Sequence, residues 1–96
     1  MHARVTRLTG SPAEADTGID DFRANVIPFA RDQGKGAILL VNRGNGETMA
    51  ITLWDDEQAL QASEERANAL RAAVANQIGA TDQPTIERYE VAVFEV

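Results

Sequence analysis

The sequence contains no cysteine among its 96 residues. Disulfide bonds, thiolate nucleophiles and cysteine metal sites are therefore excluded, and the composition is typical of a cytoplasmic protein in a reducing compartment. Basic residues are also few: nine lysines and arginines stand against fifteen aspartates and glutamates, which leaves a net charge of −6. Because no basic stripe is present to neutralise phosphates, we expect no binding to nucleic acid or to anionic membranes.

Long apolar runs are missing too. No segment approaches the roughly 20 apolar residues that a membrane helix requires, and the first ten residues, MHARVTRLTG, lack the apolar part of a signal peptide. The sequence has no Gly-x-Ser-x-Gly elbow, no Walker loop and no Cys/His metal spacing. A chain of 96 residues, 44% of them hydrophobic, is expected to form a single domain over residues 1–96. We expect neither a metal nor a cofactor.

The first part of the chain reads as a strand followed by a helix. The β-branched segment His2–Thr9 predicts strand one, and the Ser-Pro-Ala-Glu sequence at 11–14 has the form of a capping box. Apolar residues at spacings of three and four predict a helix over residues 17–32. Pro28 lies inside this pattern, so a kink or an early end is expected near residues 24–28.

Two further strands are predicted around a glycine-rich turn. The apolar segment 36–43 predicts strand two, and Asn-Arg-Gly-Asn-Gly at 42–46 predicts a tight hairpin. Glu47–Trp54 alternates and predicts strand three. A final strand is expected over residues 86–96, after a loop at 80–85.

The second helix is predicted over residues 56–77. Asp55 is the expected N-cap, and Gly79 marks the end. The charged segment 64–66 reads as solvated helix surface.

The order of elements is β-α-β-β-α-β, which is typical of a ferredoxin-like α+β fold with an antiparallel four-stranded sheet. Both helices then cover one face of the sheet, with strands one and three central. Strands two and four nevertheless carry apolar residues on both faces. An exposed apolar face of a sheet favours association with another molecule, so we expect a homodimer whose sheets face each other.

The chain resembles the antibiotic biosynthesis monooxygenase domains of the dimeric α/β-barrel superfamily. The resemblance rests on the element order, on Leu-Trp-Asp-Asp-Glu-Gln-Ala-Leu at 53–60, on Gly-Lys-Gly at 34–36 before strand two, and on Glu-Arg-Tyr-Glu-Val at 87–91. It implies a dimeric α/β barrel. It also implies that Trp54 lines a pocket between sheet and helices, although a tryptophan at this position can equally fill the core.

Strand one places charge at the centre of the expected sheet. One interpretation is that Arg4 and Thr6, with Thr52 and Trp54, line a pocket for a polar aromatic or oxo-acid ligand. The other is that the arginines on strand one, Arg4 and Arg7, pair with carboxylates of the neighbouring strand, namely Glu87, Glu90 or Glu95. Tyr89 is a further candidate, because a phenol in a cavity can donate a proton to a bound oxygen.

Haem chemistry is disfavoured. The haem-degrading relatives implied by the resemblance use a histidine on helix two and an asparagine on strand one, and this sequence has neither. Its only histidine is His2. The missing asparagine also counts against the cofactor-independent monooxygenases of the same superfamily.

Two functions of different classes therefore remain as hypotheses. The first is a cofactor-independent monooxygenase-like enzyme acting on a small aromatic or polyketide-like substrate, which itself supplies the electrons. The second is a non-catalytic dimeric module that binds a small ligand or serves as a scaffold. A cavity of roughly several hundred Å3 with convergent polar groups favours the enzyme, whereas a fully enclosed Trp54 favours the scaffold.

Overall fold

The computed structural model describes residues 1–80 and 83–96. Its four strands are β1 (His2–Thr9), β2 (Gly36–Asn42), β3 (Glu47–Trp54) and β4 (Thr85–Glu90). They form one antiparallel sheet in the order β2-β3-β1-β4, which places β1 and β3 at the centre. The ferredoxin-like α+β prediction is confirmed. Residues 81 and 82 of the predicted loop before β4 lie outside the described residues.

The pairing register decides which side chains face the helices. Arg4 lies opposite Thr52 on β3 and opposite Arg88 on β4. Because side chains alternate along a strand, the even-numbered residues of β1 share the face that the helices cover. The odd-numbered residues of β1 lie on the other face, here called the outer face. There Ile38 and Leu40 of β2 are exposed.

The first helical region is interrupted where the proline was expected to act. It consists of α1 (Ala15–Asp21), a π-helical turn at Phe22–Val26 and α2 (Ile27–Gln33). Pro28 has no N–H to donate and its ring clashes with a regular helical ladder, so the wider turn lets the chain continue. The predicted interruption is confirmed, but an early end is wrong, because the helix resumes and reaches Gln33.

The predicted capping box before this helix does not form. Ser11 precedes a short 3-10 turn at Pro12–Glu14, and its side chain makes no capping hydrogen bond. Its backbone carbonyl instead accepts from Glu14 N at 2.9 Å. A turn this tight satisfies its own backbone donors, so the hydroxyl is not required there.

The second helical region begins one residue later than predicted and is divided in two. Asp56, not Asp55, is the N-cap of α3 (Glu57–Ala62), and its carboxylate accepts from Ala59 N at 2.8 Å. Asp55 forms an exposed ion pair with Lys35. Ser63 separates α3 from α4 (Glu64–Gln77), and Gly79, at φ 68°, ends the region as predicted.

The last strand is shorter than predicted, since β4 ends at Glu90 and residues 91–96 are not in a strand. The reason is the register: Glu90 pairs with His2, where β1 itself begins. Beyond Glu90, a backbone bond from Val91 N to Met1 O at 2.9 Å continues the pattern. The apolar side chains of residues 93, 94 and 96 are consequently exposed.

The buried core lies between the sheet and the helices. It is centred on Trp54 and Leu60, which are almost completely enclosed, with Phe29 and Ala67 packed against them. Within the described parts of the chain, no helix combines the length and the apolar character that crossing a membrane would require.

Candidate ligand-binding site

A cavity of about 80 Å3 lies between the helix-facing side of the sheet and the helices. Its wall is mainly apolar. The helices contribute Phe22, Val26, Phe29, Ala67, Leu70 and Val74. The polar groups in the wall are Arg4, Thr6, Asp21, Thr48, Thr52 and Arg71. Phe22 and Val26 belong to the π-helical turn, so the interruption before Pro28 shapes the wall of the cavity directly.

Three of the five predicted site residues meet at this cavity. Arg4 and Thr6 reach it from β1, and Thr52 reaches it from β3. These positions follow from the register, in which Arg4 pairs with Thr52 across the two central strands. The structure thus brings these three residues together at one cavity, and their contact with a ligand stays a prediction.

Trp54 stands behind the cavity and is not part of its wall. Its side chain is fully buried, and its ring lies 5.3 Å from that of Phe29 between centroids. Its Nε1 donates to Thr52 Oγ1 at 3.0 Å, which satisfies the indole N–H in the interior. Trp54 thus fills the core, and through this hydrogen bond it also fixes the hydroxyl of Thr52, which does line the cavity.

Arg4 is a buried cation with a specific set of partners. Its side chain is only 2% exposed, although it stands in the middle of the sheet. Nη2 donates to Leu60 O at 2.9 Å and to Ser63 Oγ at 2.7 Å. Among the described residues, Arg4 Nε is buried without a hydrogen-bond partner. Burial lowers the pKa of this guanidinium, an effect that the nearby Glu64 carboxylate opposes.

Glu64 supplies the compensating negative charge. Its carboxylate lies 3.2 Å from Arg4 Nη2 and accepts from Arg88 Nε at 2.7 Å. The hydrogen bond from Arg88 lowers the pKa of Glu64, and the charge of Arg4 adds to this effect. The prediction that the segment 64–66 is simply solvated surface is wrong for Glu64, since its side chain is 25% exposed and joins the buried arginine to the edge strand.

Two charged residues at the cavity were not predicted from the sequence. Arg71 reaches the wall from α4, and Asp21 reaches it from α1, where Asn25 Nδ2 donates to its Oδ1 at 2.8 Å. Desolvation and the charge of Arg4 lower the pKa of Arg71. Arg71 lies four residues after Ala67 and three before Val74, so the sequence places all three on the same face of the helix. The apolar residues of that face drew attention away from the arginine.

Tyr89, the remaining candidate, is not at the cavity. Arg88 contacts Glu64 on the helix side, and by strand alternation Tyr89 lies on the outer face, where it is 49% exposed. Its hydroxyl donates to Glu87 Oε2 at 2.5 Å, and Glu87 Oε1 also accepts from Arg7 Nε at 3.0 Å. The pairing interpretation therefore holds for Arg7, whereas Arg4 pairs with a helix instead of the neighbouring strand.

The described residues offer no cluster of side chains suited to binding a metal ion. Within residues 1–80 and 83–96, no group of three or more histidine, aspartate or glutamate side chains is arranged to hold an ion. The cavity chemistry available to this part of the chain is accordingly that of guanidinium, hydroxyl and carboxylate groups.

Sequence comparison finds relatives without an established role. No model of a known protein family matches the chain. The chain is 33% identical over 98% of its length to Rv2557 of Mycobacterium tuberculosis strain H37Rv, and 30% identical over 98% to Rv2558 of the same strain. Both are described only as uncharacterized. The chain spans about two-fifths of the length of these curated relatives, 42% and 40% respectively.

Structural comparison identifies the class of fold. The monooxygenase ActVA-Orf6 of Streptomyces coelicolor, solved with the ligand nanaomycin D, is similar with a TM-score of 0.75 at 16% identity, over 99% of this chain and 92% of that one. SnoaB, a cofactor-independent oxygenase of Streptomyces nogalater, is similar with a TM-score of 0.67 at 20% identity, over 97% and 94%. Another antibiotic biosynthesis monooxygenase has a TM-score of 0.72 at 16% identity, over 97% and 100%.

The chain therefore has an α+β fold with one helix-covered sheet and a cavity at the boundary between them. More particularly, this is the fold of the antibiotic biosynthesis monooxygenase domains, and the expected resemblance is confirmed for the fold.

Proposed function

We propose that this protein binds a small, mainly apolar organic molecule in the cavity between the sheet and the helices. The observation that carries the proposal is the convergence of Arg4, Thr52 and Arg71 on a mainly apolar wall. Ligand sites typically combine an apolar lining with a few polar groups that orient the ligand. A cavity used only as packing space has no need of two guanidinium groups, because burying charge is costly.

The volume supports a ligand of modest size. About 80 Å3 is well below the roughly 300–1,000 Å3 of drug-sized sites. A single substituted ring fits this scale better than a polycyclic polyketide. The enclosed Trp54 likewise favours a binding module over a spacious catalytic chamber.

Cofactor-independent oxygen chemistry is the second candidate. It is supported by the structural likeness to SnoaB, described as a cofactor-independent oxygenase, and to ActVA-Orf6, described as a monooxygenase. In such chemistry an electron-rich substrate supplies the electrons, and the protein contributes orientation and stabilisation of developing negative charge. Arg4 and Arg71, which both lie in the cavity wall, are the groups that we propose for this stabilisation. Oxygen uptake above the spontaneous rate, measured with an oxygen electrode on single-ring hydroquinones, would support this candidate, whereas binding of the same compounds without uptake would exclude it.

We also propose that the protein forms a homodimer through the outer face of the sheet. Ile38, Leu40 and Tyr89 are exposed there, and Val93 and Phe94 are exposed in the segment after β4. Burying a large apolar side chain contributes about 1.5–3 kcal/mol, so leaving these residues in water forfeits stability that a partner could provide. Because β4 ends at Glu90, residues 91–96 do not extend the sheet, but the exposed Ile38 and Leu40 of β2 support the proposal independently.

The binding proposal is tested by filling the cavity. Ala67 lies in the wall and is 6% exposed, so Ala67→Leu should occupy space needed by a ligand. Ala72→Leu, at an exposed position of the same helix, is the matched control. Mass spectrometry of small molecules that copurify with the protein should detect a ligand with the unmodified protein and the control but not with Ala67→Leu. A ligand retained by a folded Ala67→Leu protein would contradict the proposed site.

A further inference from the structure

The guanidinium of Arg4 is satisfied on one side only. Nη2 has three oxygen partners, from Leu60, Ser63 and Glu64, while Nε is buried and has no partner among the described residues. A buried donor without an acceptor costs free energy, and a donor on a charged group costs more. Arg4 is more than nine-tenths buried and lies in the wall of the cavity. Nε is therefore the unsatisfied donor of a side chain that forms part of the cavity wall.

The charge around the cavity has a definite sign. Arg4 and Arg71 both lie in the wall, where Asp21 is the one carboxylate among residues 1–80 and 83–96. Outside the wall, the single carboxylate of Glu64 is shared between Arg4 and Arg88. Counting these five groups gives three positive and two negative charges, a local excess of one in a chain whose net charge is −6. Desolvation, and after it the charge of Arg4, lowers the pKa of Arg71, so a negative charge near both guanidinium groups would offset their repulsion.

We infer that the ligand is an organic monoanion, with a carboxylate or phenolate oxygen that accepts from Arg4 Nε and faces Arg71. This inference rests on the proposed binding function and specifies the chemical class of the ligand. The remainder of the molecule must be apolar, because Phe22, Val26 and Leu70 form the wall beyond the polar groups. A free inorganic anion does not fit this description, since it offers nothing to bury against that wall.

Thr52 gives the site a second means of recognition. Its hydroxyl already accepts from Trp54 Nε1, so its own hydrogen remains available to an acceptor in the cavity. An anion with two oxygens, such as a carboxylate, can engage a guanidinium and a hydroxyl together, whereas a neutral amide offers only one acceptor atom.

The experiment compares benzoate with benzamide, two single-ring probes of nearly equal size that differ in charge. Binding is followed by titration calorimetry and by the fluorescence of Trp54, whose ring lies 5.5 Å from Arg4 Cζ. A hydrogen bond to a charged group contributes about 1.5–3 kcal/mol, so benzoate is expected to bind about 10- to 150-fold more tightly.

Two variants and one control test which residues cause the preference for benzoate. Arg71→Gln should reduce the affinity for benzoate about tenfold or more while leaving that for benzamide nearly unchanged. Arg66→Gln, at an exposed position of the same helix, removes the same charge away from the cavity and should leave the ratio unaltered. Arg4→Lys keeps the charge but removes Nε, and in a folded protein it should also reduce the preference for benzoate.

The possible outcomes distinguish the inference that the ligand is an anion from the proposal that the cavity binds a ligand. If benzamide binds as tightly as benzoate, the ligand is not selected as an anion, although the cavity remains a binding site. A preference for benzoate that survives in Arg71→Gln overturns the assignment to this cavity. If neither probe binds to the unmodified protein, the proposed binding function falls, and the inference falls with it.

Discussion

Arg4 Cζ lies 5.5 Å from the centroid of the Trp54 ring, so the buried cation of β1 rests against the only tryptophan of the chain. The contact is a cation–π interaction, which gains strength when both partners are removed from water. Trp54 therefore has two roles here. It fills the core beside Phe29, and its ring contacts the Arg4 guanidinium in addition to the oxygen partners of Nη2.

The first prediction concerns this tryptophan. Trp54→Ala should lower the free energy of unfolding by about 3–5 kcal/mol, because a large buried side chain is replaced by a cavity. Trp54→Phe should cost less, since it keeps most of the volume while losing the hydrogen bond to Thr52. Urea denaturation followed by circular dichroism measures both changes, and a loss of less than about 1 kcal/mol in Trp54→Ala would show that the site is not tightly packed.

The second prediction concerns the carboxylate between the two arginines. The pKa of Glu64 is lowered in the folded protein, chiefly by the hydrogen bond from Arg88. Its stabilising effect should therefore be fully present above the unfolded pKa, near 4.5, and should disappear as the pH falls through the lower folded value. At neutral pH, Glu64→Gln should cost about 1–3 kcal/mol, and the difference from the unmodified protein should shrink below about pH 4.

The control for this prediction is the adjacent residue. Glu65 is exposed, and Glu65→Gln should show neither the cost nor its pH dependence. Unfolding free energies measured between about pH 3 and pH 7 compare the two variants. Equal behaviour of both would mean that Glu64 does not compensate Arg4.

The third prediction concerns the hairpin between β2 and β3. Gly46 has φ 78°, and a Cβ atom there would overlap Gly10 O. Gly46→Ala should thus destabilise the protein by about 2–4 kcal/mol through backbone strain and overlap combined. Gly44→Ala, two residues earlier, meets only Asn42 Oδ1 at 3.2 Å and should be mild. Thermal unfolding of the pair should show a clearly lower midpoint for Gly46→Ala, and similar midpoints would contradict the geometry.

The fourth prediction tests the proposed homodimer. Leu40 is 50% exposed on the outer face, whereas Leu39 lines the cavity. Leu40→Asp should dissociate the dimer, because a carboxylate at an apolar interface remains uncompensated. Ala72→Asp, on the exposed side of α4, should have no effect on assembly. Sedimentation equilibrium decides the question, and a well-folded monomer of the unmodified chain at micromolar concentration would refute the proposal.

The fifth prediction concerns haem. The second helical region contains no histidine, and His2 stands at the start of β1. We therefore expect no stoichiometric haem binding and no Soret band of the histidine-ligated type. A spectroscopic titration that reached one haem per subunit, and that was lost in His2→Ala, would contradict this expectation.

The sequence predicts the central strands well because their signals are local. The bounds of β1 and β3 agree with their predicted ranges, since β-branched residues and alternation lie within each segment. The end of β4 could not be read in the same way. Residues 91–96 are rich in valine and phenylalanine and favour a strand. However, Glu90 already pairs with His2, the first residue of β1, and a register of this kind is a tertiary property.

The candidate site was likewise predictable in part, where local patterns decide, and unpredictable where tertiary contacts decide. Placing Arg4, Thr6 and Thr52 together required only the topology and the period of two along each strand. The partnership of Arg4 with Glu64 joins β1 to the start of α4, and its position depends on the break at Ser63. Nothing in the local pattern marks that break, because a serine between two helical segments is also acceptable within a continuous helix.

The π-helical turn before Pro28 also constrains which insertions and deletions the chain can tolerate. A π turn amounts to one additional residue within an α-helix, and each residue rotates the helix by about 100°. Removing one residue from Phe22–Val26 would restore regular helical spacing there, yet it would turn α2 relative to α1 by that angle. Phe29 would then leave its place beside Trp54. The length of this segment is consequently fixed by the packing on either side of it, so a one-residue deletion is expected to be harmful even though each part would still form a helix.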